Sequence, residues 1–359
     1  MEKTDGGRRT RAKRAAPKPI SLALQGGGSH GALTWGALDR LLEDDRLAIK
    51  AISGTSAGAM NAVALADGIT TGGSDGARQS LHDFWKAVSD AARFSPIQRS
   101  PVDRLMGRFS LDRSPGYLFF EGLSRAFSPY QLNPTGANPL RDLLEKQVDF
   151  ANVNACEALK VHVTATNVRT GQPKVFGPGE LTIDAVLASA CLPQMHAAIV
   201  IDGEEYWDGG FTGNPALYPL LADANTPDIV VIQITPIRRD APPRTAREII
   251  NRVNEISFNS SLVKELRAIA LLQRVATARN LDLGRYGDTF LHLIHADAEV
   301  QDLSASSKMN AEWEYLRFLF ERGRGWADDW LAESFDRIGV ESTLDLDDLF
   351  GSGHMPDPC

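Results

Sequence analysis

A chain of 359 residues, 43% of them apolar, is long enough to bury a substantial core, and its three scattered cysteines, Cys156, Cys191 and Cys359, are too few for a disulfide framework. That favours a reducing, cytoplasmic setting, and with no apolar run of about 18 residues and no apolar signal core, neither a transmembrane helix nor a secretory signal is expected. The net charge of −8 is uneven: residues 1–19 hold seven Lys or Arg against two acids, so this tail carries +5 and leaves −13 on the rest, which argues against nucleic acid as a partner.

The tail, with Arg8, Arg9, Arg11, Lys13, Arg14 and Lys18 and almost no large apolar residue, reads as disordered. It is a candidate for peripheral contact with anionic lipid headgroups, at about 1 kcal/mol per basic residue near a charged surface. Ile20 to Leu24 then alternates like a short strand and runs into Gln25-Gly26-Gly27-Gly28-Ser29-His30-Gly31, ahead of a helical pattern through Leu33, Ala37, Leu38 and Leu41. The glycine spacing satisfies G-x-G-x-x-G, so a dinucleotide site is the first reading to test. It requires an acidic residue at the end of the second strand, and Ile52-Ser53-Gly54-Thr55-Ser56 occupies that place instead.

The second strand, Leu47 to Ile52, leads into Gly54-Thr55-Ser56-Ala57-Gly58 and a helix-compatible stretch to Ala66. Strand, sharp turn and helix with a serine at the apex form a nucleophile elbow. The flanking glycines let strand and helix pass closely, and the helix start aims amides at the place where charge develops on an attacked ester. A pentapeptide this short also arises by chance, with Ser56 as a plain N-cap, so its neighbours decide. Read beside Ser56, the amides of Gly26, Gly27 and Gly28 become a candidate oxyanion hole.

Residues 68–150 form an insertion broken by Gly72-Gly73, Pro96, Pro101, Pro115, Pro129, Pro134 and Pro139. Its apolar group Tyr117 to Phe120, with Leu123 and Phe127, suits either a lid over an acyl pocket or a cap packed on the core. A third strand is expected at Leu159 to Thr164. After it, Ile199 to Asp208 reads as a hairpin about Asp202-Gly203 that delivers Asp208 onto the turn Gly209-Gly210. Asp208 is a candidate general base for Ser56, against the alternative of an aspartate that only caps its own loop. Ile229 to Ile234 completes a mostly parallel α/β sheet covered by helices on both faces.

Beyond a hinge at Pro236 and Ala241-Pro242-Pro243, residues 236–350 read as a mainly helical extension. Its helices are expected near Ala246–Arg279 and Ser307–Arg322, with a strand-like Thr289–His295 between them, segments bearing Trp326, Trp330 and Phe335 after them, and a flexible end at 351–359. Ser306-Ser307-Lys308 misses the S-x-x-K spacing and receives no chemistry. No histidine pair has zinc-site spacing, and no metal or other cofactor is expected. A Ser-His-Asp triad in hydrolase order would draw its histidine from His292, His295 or His354.

The glycine loop at Gly26–Gly28, the elbow at Ser56, the segment Ala188-Ser189-Ala190-Cys191-Leu192-Pro193 and the turn at Asp208 resemble, in this order, the patatin-like phospholipase family over about residues 20–235. The resemblance implies a three-layer α/β/α catalytic domain, a Ser56–Asp208 dyad without histidine or metal, and fatty acyl esters as substrates. Phospholipids and acylglycerols are the first candidates and an intracellular polyester such as polyhydroxybutyrate the alternative. A lipid-binding scaffold without activity is the reading from another class. His30 stands where many members carry Arg or Lys, making it a candidate oxyanion helper that titrates near neutrality.

Overall fold

Alternation along two central strands decides the layering. In β1 (Lys18–Leu24), Ile20, Leu22 and Leu24 enter one core while Ala23 enters the other. β7 (Asp228–Ile232) splits the same way, Val230 and Ile232 against Ile229 and Val231. A sheet apolar on both faces must be covered on both. The computed structural model that shows this describes residues 16–223, 226–284, 287–295, 303–346 and 349. Residues 1–15 of the expected tail, the expected flexible end 351–359, His354 and Cys359 lie outside them.

The remaining strands are β2 (Leu47–Gly54), β3 (Lys160–Asn167), β4 (Pro173–Phe176), β5 (Ile199–Ile201), β6 (Glu204–Asp208) and β8 (Phe290–Ile294). The sheet runs β5-β6-β3-β2-β1-β7-β8, with β4 also paired to β3. From β3 to β8 the neighbours are parallel, while β4, β5 and β6 join antiparallel. The mostly parallel, helix-covered α/β sheet expected from sequence is therefore present. β1 starts at Lys18, whose ammonium donates to the Phe335 and Ile338 carbonyls at 2.9 Å each, so Lys18 and Pro19 belong to the sheet and not to a disordered tail.

One face carries α1 (Gly31–Glu43) and α2 (Ala57–Ala92), which breaks at Gly72 and Gly73. In the insertion, α3 (Pro101–Leu105), α4 (Pro115–Ala126), α5 (Pro129–Leu132), α6 (Pro139–Gln147) and α7 (Phe150–Ala155) each start from a Ser, Asn or Asp cap. α4 buries none of its residues fully, and Phe119 stays 69% exposed. Its apolar side chains therefore do not pack on the core as a cap would. α8 (Ile183–Ser189) follows β4.

The opposite face is closed by α9 (Tyr218–Asp223) and α10 (Ala246–Arg279), which turns Leu262, Leu266 and Ile269 inward. The strand-like segment of the C-terminal region is β8, and it extends the sheet beside β7. Helix α11 (Trp313–Ser334) starts later and runs further than the expected Ser307–Arg322, because Trp326, Trp330 and Leu331 continue its buried stripe. It lies along α1 at very short range. A Cβ on Gly36 would sit 1.9 Å from the Phe320 carbonyl oxygen, and one on Gly323 1.9 Å from that of Leu33.

That reciprocal contact is testable. Gly323→Ala should destabilise the fold by about 2–3 kcal/mol through overpacking and lower the melting temperature by several degrees. Gly325→Ala, on the same helix but facing open space, should leave it unchanged or raise it slightly by about 0.5–1 kcal/mol of helix propensity. Paired thermal melts compare the two.

Candidate active site

The site lies at the carboxyl ends of β1 and β2, the usual place for ligands in parallel α/β sheets. Ser56 follows β2 directly and caps α2, with φ 55° and ψ −118°, a left-handed conformation strained for any residue but glycine. Its neighbours permit the turn by lacking side chains. A Cβ on Gly54 would lie 2.6 Å from the Gly58 carbonyl oxygen, and one on Gly58 would lie 2.2 Å from that of Leu24. Three bonds hold the strain in place. The Thr55 amide donates to Leu24 O (3.3 Å), the Thr55 hydroxyl to Gly213 O (2.6 Å), and the Ser56 amide to the buried Ser189 hydroxyl (2.9 Å). Ala57 begins α2, so the helix amino end faces the turn.

Asp208 ends β6, where its pairing with Ala165 of β3 brings it beside the elbow. A Cβ on Gly209 would meet Thr164 O at 2.0 Å and the Thr55 methyl at 3.0 Å, so glycine is needed for the turn to close against β3. The Gly210 amide donates to Asp208 Oδ1 at 2.7 Å, and the Ser56 hydroxyl lies near enough to the carboxylate to lower its pKa. Asp208 is 1% exposed. Burial drives its pKa up to about 7, against the opposing pull of the Gly210 amide, the Ser56 hydroxyl and the charge of Lys308.

The glycine loop divides by role. The Gly26 amide donates to Asn214 Oδ1 at 2.7 Å and so is not free to bind an oxyanion, which corrects its assignment. Gly26 serves instead by close approach, since a Cβ there would stand 2.7 Å from Ser56 Cβ. The Gly27 and Gly28 amides find no acceptor among the described residues, and Gly28 adopts φ 59°. They remain the candidate oxyanion donors. The loop is anchored from below by Gln25, which bonds the Ile234 and Thr235 amides and Asn259 at 2.8–3.0 Å.

His30 is buried, and its Nε2 lies 2.8 Å from Ser307 Oγ. That hydroxyl gives its proton to Ser304 O and accepts from Tyr315, so Nε2 carries the hydrogen and Nδ1 is an acceptor with no partner among the described residues. Burial, aided by Lys308, lowers its pKa well below the usual value, so it stays neutral at pH 7 rather than titrating there. Of the alternative triad histidines, His292 is fully buried in β8 and bonds Asp228 (2.9 Å) and Thr343 (2.9 Å), so both ring nitrogens are engaged away from Ser56. His295 is exposed just after β8.

Sequence reasoning missed Asn214, Asn259, Ser189 as a partner of Ser56, and the Ser307–Lys308 turn. Each meets the site across a long chain separation. A cleft of about 820 Å³ lined by Arg141, Lys146, Asp149 and Asp184 includes neither Ser56 nor Asp208. Among the described residues no group of three His, Cys, Asp or Glu is placed to hold a metal ion, and no helix is long and apolar enough to cross a membrane.

A family model described as patatin-like phospholipase matches residues 22–221. No curated protein matches the chain. Among solved structures, VipD from Legionella pneumophila is similar at 13% identity and a TM-score of 0.41, over 88% of this chain and 67% of VipD. ExoU from Pseudomonas aeruginosa, solved with full-length SpcU, is similar at 16% identity and a TM-score of 0.32, over 89% of this chain. This chain spans about half of that one, 53%.

The burial of Asp208 has a measurable sign. With its folded pKa above the unfolded value, the protein loses stability as pH rises from about 4 to 7 and recovers none above that. Asp208→Asn keeps the shape and an acceptor for Gly210 without a charge, so it should melt several degrees higher than the native chain at pH 8. At pH 4.5 the two should melt nearly together. Equal melting temperatures at both pH values would contradict the buried charge.

Proposed function

The chain belongs to the patatin-like phospholipase family, and from that membership and the approach of Ser56 to Asp208 we propose that it cleaves fatty acyl esters with a serine–aspartate dyad. The observation that supports this most is a strained serine at a helix start, near enough to a buried carboxylate of raised basicity to act on its pKa. A serine hydroxyl needs a base to become a nucleophile, and an ordinary carboxylate is a weak one. A carboxylate with a pKa near 7 is much better matched to the task at neutral pH.

In the proposed reaction Asp208 takes the Ser56 proton as Oγ attacks the acyl carbonyl carbon. The Gly27 and Gly28 amides, with the first amide of α2 at Ala57, hold the oxyanion. Collapse of the tetrahedral intermediate expels the alcohol, which takes the proton from Asp208. Water, deprotonated by Asp208, then attacks the acyl-enzyme and releases the fatty acid, regenerating Ser56. Exposed Leu118 and Phe119 of α4 fit a surface that meets an apolar substrate.

Fluorophosphonate labelling of the native chain should disappear in Ser56→Ala, with loss of at least about 10³-fold in kcat/KM. Fatty acid release compared across phospholipid, acylglycerol and polyester identifies the substrate. The native kcat/KM should fall about tenfold per pH unit below an acid limb near pH 7, because the base must be ionised. A limb left near pH 4 would remove Asp208 from the role of base, and labelling that survives in Ser56→Ala would end the dyad reading.

A further inference from the structure

The 3₁₀ turn Ala305–Met309, remote from the catalytic motifs in sequence, forms one wall of the glycine loop. A Cβ on Gly28 would lie 2.5 Å from the Lys308 carbonyl oxygen and 3.5 Å from Lys308 Cβ, so the root of this side chain touches the loop that offers the free amides. His30 fastens the two segments through Ser307, and Ser307 is held in turn by Tyr315 of α11. The lysine is thus seated by packing and by two hydrogen bonds to its neighbour.

Among the described residues the Lys308 ammonium makes no hydrogen bond and no ion pair within 4.0 Å. Among the described residues, the charged and titratable groups coupled to its charge are Glu255 of α10, Arg239 of the segment after β7, Asp208 of β6 and His30 of the glycine loop. Glu255 is already neutralised by Arg239 (2.9 Å) and Arg252 (3.1 Å), and His30 is neutral. Among the described residues Asp208 is then the anion acting on Lys308 that no cation pairs directly.

On this geometry, and resting on the dyad reading above, we propose that Lys308 is a further catalytic residue whose ammonium stabilises the oxyanion formed at the Gly27–Gly28 amides. The charge balance favours such a group. Before attack the single negative charge sits on Asp208; as the Ser56 proton moves to Asp208 and Oγ bonds to carbon, the electron pair of the carbonyl moves to oxygen and the charge moves with it. The total stays at −1, and a cation rooted against the glycine loop whose charge acts on Asp208 has an anion to face at every stage. The same cation holds the Asp208 pKa lower than burial alone would.

The test uses the full chain and a small neutral ester without phosphate, beside a phospholipid. Lys308→Met should lower kcat/KM about 10- to 100-fold on both substrates, mainly through kcat, and move the acid limb to higher pH by about half a unit or more. Lys308→Arg should restore the native acid limb and most of the rate, and should remove any alkaline limb due to loss of the lysine proton. Circular dichroism checks that each variant folds; if Lys308→Met does not, the Lys308→Arg profile alone decides, and an alkaline limb unchanged from native overturns the proposal. So does a Lys308→Met enzyme with native kcat and an unmoved acid limb. A defect confined to the phospholipid, appearing in KM, would assign Lys308 to the headgroup phosphate and likewise overturn it. Absence of Ser56-dependent turnover in the native chain would instead defeat the dyad reading, and this inference with it.

Discussion

Backbone approaching backbone more closely than any Cβ permits is the constraint on which the site depends. Gly58 lies under the end of β1, Gly54 against the start of α2, Gly26 against Ser56 and Gly209 against β3, each closer to its neighbour than a side chain could be. With those four contacts in place the chain between Gly54 and Gly58 has little room for any path but one, and that path puts Ser56 at positive φ. The strain is held by hydrogen bonds from Thr55 and Ser56 to β1, to the loop after Asp208 and to Ser189 of α8. A strained turn persists only when its surroundings over-determine it, and here three separate segments hold it by hydrogen bonds.

Asp208 shows the second cost. Closing the turn against β3 removes its carboxylate from water, and two hydrogen bonds do not fully offset the lost hydration. The penalty leaves a carboxyl group with the proton affinity of an imidazole, which is what the proposed dyad, lacking histidine, needs. Stability and proposed activity therefore oppose one another at this residue. The core around it is large enough to carry the burden, since β1, β2 and β7 bury apolar side chains on both faces.

The C-terminal region is more than an addition to the sheet. It supplies β8, the α10 cover of one face and the α11 partner of α1 on the other, and through the turn before α11 it reaches the glycine loop. The polar residues of α10 act at the same place. Asn259 anchors Gln25 beneath the loop, while Glu255 gathers Arg239 and Arg252 near Lys308. The floor and one wall of the candidate site thus come from chain lying after Thr235.

Local chemistry made much of this legible in the amino-acid order. The glycine loop, the elbow at Ser56 and the turn at Asp208 are encoded by neighbouring residues, because tight turns need glycine and buried parallel strands need unbroken apolar runs. The same holds for β1, β2, β3, β7 and the β5–β6 hairpin, whose patterns lie close to their observed bounds. Partners were not legible. That Asn214 consumes the Gly26 amide, that burial keeps His30 neutral, that Asp228 rather than Asp208 holds His292, and that Lys308 abuts Gly28 all depend on which segments the fold presses together. Sequence pattern carries the conformational preference of a few adjacent residues, whereas desolvation and long-range hydrogen bonding arise only once distant segments share one dry interior.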